Sequence, residues 1–176
     1  MARKKFTTDE VQQMEDAGLF AGQSYELIDG ELIDKMGQNR THARAIRSCE
    51  GLIRNQAPIE AGPADSKWNI PKPDLAVLRE YKLDFKSRHP QGNKLILAVE
   101  VSDTTLEHDA WTKLDLYARA GVPEYWILDL TYPRLLVFSE LSTEKGEYAS
   151  LKGYTADDSV TFASKTIPVA ALLPKS

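Results

Sequence analysis

Apolar positions recur along this chain with two different periods, and the switches between them mark out the elements. Thr7 and Glu10 stand at capping-box spacing, so a short helix is predicted to start there and to stop near Gly18. The run Tyr25-Glu26-Leu27-Ile28-Asp29-Gly30-Glu31-Leu32-Ile33 then sets Asp-Gly between two alternating segments, the strongest short-range signal for a hairpin. With Asp29 and Gly30 at the turn, Leu27 faces Leu32, and Glu26 shares the other face with Ile28 and Ile33.

From Thr41 to Asn55 the period becomes helical. Ala45, Ile46, Cys49, Leu52 and Ile53 fall on one side, and Arg40, Arg44, Arg47 and Arg54 on the other. Pro73-Asp74 leads into a short strand over Leu75 to Leu78. Lys94 to Val101 is the most apolar run and reads as a central strand buried on both faces. A second long helix is predicted from about Thr105 to Ala120, with Thr104 and Glu107 as a capping box and Gly121 as its stop. Strands follow at Tyr125 to Leu128 and, after Tyr132-Pro133, at Leu135 to Phe138, with weaker signals around Tyr148 and Val160. Pro58 to Asn69 and Glu80 to Asn93 read as loops inside one domain. The order of elements predicts a single mixed α/β (α+β) domain over residues 1–176, with a central mixed sheet flanked by helices.

Composition narrows the setting. Hydrophobic residues at 42% and charged residues at 27% are ordinary for a globular chain of 176 residues. Cys49 is the single cysteine, which excludes an intramolecular disulfide framework and a cysteine-built metal site. Leu95 to Val99 is far too short to span a bilayer, and Ala2-Arg3-Lys4-Lys5 has no apolar stretch behind it, so no membrane segment or secretory leader is expected and the setting is taken as cytoplasmic. A net charge of -4 argues against a protein that coats nucleic acid non-specifically, but not against an enzyme with a local basic face. The four-arginine stripe is either a solvated helix face or a phosphate-facing one.

Three residues stand out chemically. Glu100 ends a hydrophobic strand, where an unpaired charge is very costly, so it reaches solvent, caps the next helix, or serves a function. Asp74 begins the preceding strand. Antiparallel pairing of the two would bring both carboxylates to one sheet edge, an arrangement that suits Mg2+ with its retained waters. Lys113 lies at the margin of the stripe formed by Ala110, Leu114, Tyr117 and Ala118, so it either snorkels to solvent or turns back toward Glu100. In the second case it could orient a water and stabilise charge developing on a phosphate.

Five runs carry a family resemblance: Tyr25 to Leu32, Pro73-Asp74, Val99-Glu100-Val101-Ser102, Asp109 to Lys113, and Tyr117-Ala118-Arg119-Ala120-Gly121-Val122-Pro123-Glu124-Tyr125-Trp126. Together they resemble the Uma-two family of restriction-endonuclease-like proteins, within the PD-(D/E)xK nuclease-like superfamily, over roughly Phe6 to Phe138. The resemblance implies the restriction-endonuclease-like core and metal-dependent cleavage of DNA phosphodiesters with Mg2+ or Mn2+. By position Asp74 is similar to the motif aspartate and Glu100 to the motif glutamate, both as metal ligands. The motif lysine is absent at Ser102, and the resemblance points to Lys113 on the following helix instead. Glu26 is similar to an additional acidic residue of the hairpin, expected as a catalytic member that contacts the metal through water or orients a ligand, and His42 to a histidine that often follows it. Arg40, Arg44, Arg47 and Arg54 are then expected to contact the nucleic-acid backbone. A homodimer is expected for cutting both strands, with Trp111 and Tyr125-Trp126 as aromatic surface or core. The competing reading is a non-catalytic binding module for nucleic acid or protein that keeps the nuclease fold.

Overall fold

Thr7 caps the first helix, α1 (Thr8–Asp16), through the reciprocal bonds of a capping box: its hydroxyl accepts the Glu10 N–H at 3.2 Å and the Glu10 carboxylate accepts its own N–H at 2.9 Å. The computed structural model describes residues 3–35, 40–50, 59–79, 89–103 and 106–174. After α1 comes the hairpin, β1 (Tyr25–Ile28) and β2 (Glu31–Asp34), in the expected register with Leu27 opposite Leu32 and Glu26 opposite Ile33. Asp29 (φ 48°) and Gly30 (φ 80°) are both left-handed, which makes this a type I′ turn matched to strand twist. At Gly30 a Cβ would lie 2.8 Å from Lys5 Cβ, so the position has no room for a side chain. Its N–H donates to the Trp68 carbonyl at 2.9 Å, and Leu27 exchanges backbone bonds with Ile70. The ribbon is thereby stitched to the segment that leads into the sheet.

The remaining elements are α2 (Arg40–Glu50), β3 (Leu75–Leu78), β4 (Leu95–Ser102), α3 (Leu106–Ala120), β5 (Tyr125–Asp129), β6 (Arg134–Ser142), β7 (Glu147–Thr155), β8 (Ser159–Phe162), β9 (Lys165–Pro168) and α4 (Val169–Leu172). Strands β3 to β7 form one sheet in that order. Only the β4–β5 pair is parallel, because α3 carries the chain back across the sheet between them; the other pairs are antiparallel. β8 and β9 form a separate two-stranded ribbon.

Side-chain alternation along β4 sorts the core. Leu97, Val99 and Val101 pack with Ala45, Ile46 and Cys49 of α2, whereas Ala98 packs with Tyr117 of α3. Glu100, in step with Ala98, therefore faces α3. The sheet is covered on both faces, as the apolar run predicts.

Several boundaries differ from expectation for physical reasons. A short 3-10 turn, Gly92–Lys94, precedes β4, so Lys94 is not part of the strand. β6 runs on to Ser142 because β7 pairs along its whole length. β7 is an edge strand with alternately half-buried and exposed residues, which is why its sequence signal is weak. Residues 51–55 of the predicted second helix, the Thr104 cap and residues 80–88 of the second loop lie outside the described residues.

Replacing Gly30 by Ala forces a Cβ into a left-handed position against Lys5. The Gly30→Ala protein is expected to lose about 1–3 kcal/mol of stability in urea unfolding. An unchanged midpoint and slope would mean that the hairpin does not need this turn.

Candidate active site

The antiparallel β3–β4 register pairs Leu75 with Val99, which brings Asp74 beside the C-terminal end of β4. There the Val101 N–H donates to Asp74 Oδ2 at 2.8 Å, so the carboxylate takes over the backbone bond just beyond the ladder. Glu100 projects toward α3, where Lys113 and Tyr117 stand one helical turn apart. Both reach Glu100 Oε1: the Lys113 ammonium at 3.1 Å and the Tyr117 hydroxyl as donor at 2.8 Å. Glu26 arrives from the hairpin. Its Oε1 lies 2.7 Å from Lys113 Nζ, and its Oε2 accepts the Lys72 N–H at 3.2 Å.

Two groups complete the cluster. Lys35, just past β2, places Nζ 3.1 Å from Asp74 Oδ1 and 3.4 Å from Glu100 Oε2, and donates to the Lys72 carbonyl at 2.7 Å. His42, in the first turn of α2, holds Nε2 3.3 Å from Asp74 Oδ2. Each of the six oxygens of Glu26, Asp74 and Glu100 thus has a nitrogen or hydroxyl partner within 3.4 Å. Glu26, Asp74, Glu100 and Lys113 are buried, at 2%, 1%, 7% and 3% exposure, so these pairs are not weak surface bridges.

Burial and pairing pull these groups in opposite directions. For Asp74, burial favours the neutral acid, but the His42 hydrogen bond, the Lys35 charge and the Val101 N–H outweigh it and hold the carboxyl well below the usual aspartate range. For Glu100, burial raises the pKa; Lys113 and Lys35 oppose this, and the neighbouring Asp74 and Glu26 charges add to it. Burial disfavours the Lys35 and Lys113 ammoniums, yet the facing carboxylates, Glu100 foremost, keep both charged and raise them. The Tyr117 hydroxyl is held protonated by burial and by Glu100, which makes it a fixed donor.

The structure therefore brings Asp74, Glu100, Lys113 and Glu26 to one end of the central sheet. Arg40, Arg44 and Arg47 lie exposed on α2, outside the cluster, and Arg54 lies outside the described residues. Trp126 and Tyr125 are core residues, whereas Trp111 is half exposed and packs edge-on against Phe138. Among the described residues no three His, Cys, Asp or Glu side chains converge as a metal cage; Lys113 stands between Glu26 and Glu100, and Lys35 between Asp74 and Glu100. A cavity of about 260 Å3 opens beside Lys113, lined also by Lys5, Ile28, Asp29, Glu31, Ile33 and Thr112.

Lys35 and Tyr117 have no functional part in the reading of the sequence. Both had a signal. Lys35 is two residues beyond Ile33, the cross-strand partner of Glu26, so period-2 alternation puts it on the Glu26 face. Tyr117 is four residues beyond Lys113 on α3. Asp129 is a contrasting buried carboxylate: it accepts N–H groups of Thr131 and Tyr132 and pairs with Arg134, closing the β5–β6 turn.

The pH dependence follows in sign. Asp74 is ionised in the fold and binds a proton more readily when unfolded, so its contribution is present above about pH 4 and is lost as pH falls below that. Glu100 acts oppositely, its contribution declining as pH rises through its raised pKa. Asp74→Asn is expected to cost about 3–5 kcal/mol at neutral pH by leaving buried cations uncompensated. It should also flatten the acid-side slope of stability, measured by urea unfolding between about pH 5 and pH 2. An unaltered slope would contradict the assignment.

The family model Uma2, described as "Putative restriction endonuclease", matches residues 8–168. The sequence matches no curated protein. Among solved structures, a "putative nuclease belonging to DUF820" from Anabaena variabilis ATCC 29413 is similar at a TM-score of 0.67 and 13% identity, over 95% of this chain and 97% of that one. At that identity the likeness speaks for the fold, a nuclease fold built on a mixed five-strand sheet. The family match spans both the hairpin that carries Glu26 and the β4–α3–β5 unit that carries Glu100 and Lys113, and the chain belongs to the Uma2 putative restriction endonuclease family.

Proposed function

We propose that the protein is a divalent-metal-dependent endonuclease that hydrolyses DNA phosphodiesters at the Asp74–Glu100 end of the sheet. The observation that carries this reading is the convergence of Asp74 Oδ1 and Glu100 Oε2 on one cation, the Lys35 ammonium, at 3.1 and 3.4 Å. Two anionic hard oxygens aimed at one point, with the Lys72 carbonyl beside them, form a donor set that fits Mg2+ or Mn2+. Asp74 and Glu100 would hold the ion, which when bound supplies Lewis acidity for phosphodiester hydrolysis.

The chain's own residues do the rest. Lys113 uses two of its N–H bonds on Glu26 and Glu100, leaving one donor beside the cavity for a water or a phosphate oxygen. A buried ammonium there stabilises charge developing on phosphorus far better than one in water. Glu26 is a positioning residue, since it touches Lys113 and the backbone and fixes where the ammonium sits. Tyr117 holds Glu100 Oε1 in the same way. Arg40, Arg44 and Arg47, exposed on the helix whose inner face presents His42, would hold the flanking DNA backbone, joined by Arg54. A two-fold dimer in the cytoplasm belongs to this reading, because cutting a duplex takes one site for each strand.

One observation favours the second reading, a non-catalytic binding module: every carboxylate oxygen of the cluster already has a partner within the protein. Plasmid cleavage separates the two. The endonuclease reading expects nicking or linearisation in Mg2+ or Mn2+ and none in Ca2+. Glu100→Gln should abolish cleavage while the circular dichroism spectrum is kept. Lys113→Met should lower the rate by about 3–4 kcal/mol of transition-state stabilisation, roughly 10²–10³-fold. Wild-type activity in Lys113→Met would remove the lysine from the chemistry, and no cleavage by the wild type in either metal would leave the binding module.

A further inference from the structure

Two lysines serve the acidic cluster, and they are held differently. Lys113 rises from the middle of α3, 4% exposed at its side chain, and is clamped between Glu26 and Glu100. Lys35 lies outside β2 at the rim of the cluster, 14% exposed, with Nζ on Asp74, Glu100 and the Lys72 carbonyl. Its three N–H bonds thus meet the oxygens that the metal reading assigns to the ion. Its flexible four-carbon stem lets the head swing to solvent without moving the backbone.

We propose that Lys35 is the resident counter-cation of the Asp74–Glu100 pair, standing where the divalent ion binds, so that lysine and ion compete for the same oxygens. The proposal rests on the metal reading of the preceding section and adds to it the step that governs loading. Charge favours exchange over addition. Counting carboxylates and ammoniums alone, Glu26, Asp74 and Glu100 against Lys35 and Lys113 leave one negative charge in excess. Replacing Lys35 by a divalent ion brings that count to zero, whereas adding the ion beside Lys35 overshoots it and sets two cations against each other at short range. Exchange also spares the metal-free protein an uncompensated buried acid pair, the condition that makes broken buried ion pairs so destabilising. The fold then does not depend on metal, and metal affinity is lowered by the work of expelling Lys35.

The test is Mn2+ binding to the full chain by isothermal titration calorimetry, with wild type, Lys35→Met and Glu100→Gln. Lys35→Met is expected to bind Mn2+ about tenfold or more tighter than wild type, the scale of a coupling between two ligands for one site. It should also be less stable than wild type without metal and gain more in melting temperature when Mn2+ is added. Glu100→Gln should lose the site. A second measurement needs no variant: in protein labelled with 15N-lysine, the Lys35 ammonium resonance should leave its protected position as Mg2+ saturates, while that of Lys113 stays. This arm decides if Lys35→Met does not fold. Equal or weaker Mn2+ binding by Lys35→Met, or an unmoved Lys35 resonance at saturating Mg2+, overturns the proposal and leaves the metal site standing. Absence of Mn2+ and Mg2+ binding in wild type and Lys35→Met alike overturns both.

Discussion

A carboxylate buried near the end of a hydrophobic strand has to be neutralised, and Glu100 is that carboxylate. Placed in bare hydrocarbon its charge would cost many kcal/mol. The chain meets the demand with three donors from two directions: Lys113 and Tyr117 from α3, and Lys35 from the end of the hairpin. Each lysine in turn brings another acid within reach, Glu26 for Lys113 and Asp74 for Lys35. The cluster is therefore one interlocked charge network, and removing any member leaves its neighbours uncompensated.

The scaffold explains why these side chains meet. The β4–α3–β5 crossover lays α3 over the face that carries Ala98 and Glu100, so residues four apart on the helix address one carboxylate. Antiparallel β3 delivers Asp74 to the same end. The type I′ hairpin, tied to residues 68–70 by backbone bonds, delivers Glu26 from β1 and Lys35 from just past β2 at a common face. The sheet core is apolar, and among the described residues three buried acids gather with Lys113 and Lys35 at one end of it.

Much of this was legible in the residues themselves. Asp29-Gly30 specified its turn and hence its register, because a two-residue I′ loop permits only one pairing. The run before Glu100 announced a central strand, and the Pro73-Asp74 step announced a partner strand that begins beside its end. The face of Lys113 was ambiguous, since a lysine at a stripe margin can snorkel or turn inward, and only the position of the sheet decides. Lys35 is hard to single out because it follows the last apolar residue of the hairpin, and only period-2 counting from Ile33 puts it on the Glu26 face. β7 was faint because an edge strand with one half-buried face need not be apolar. The arginines on α2 lie exposed and outside the cluster, and helical periodicity alone does not distinguish a solvated face from a binding one.

If the Asp74–Glu100 pair is a cation site embedded in this network, anomalous scattering from a crystal soaked in Mn2+ will show it. One strong manganese peak is expected between Asp74 and Glu100, with the Lys35 side chain displaced and Lys113 still on Glu26. Manganese found only on exposed acids, with Lys35 still between Asp74 and Glu100, would contradict it.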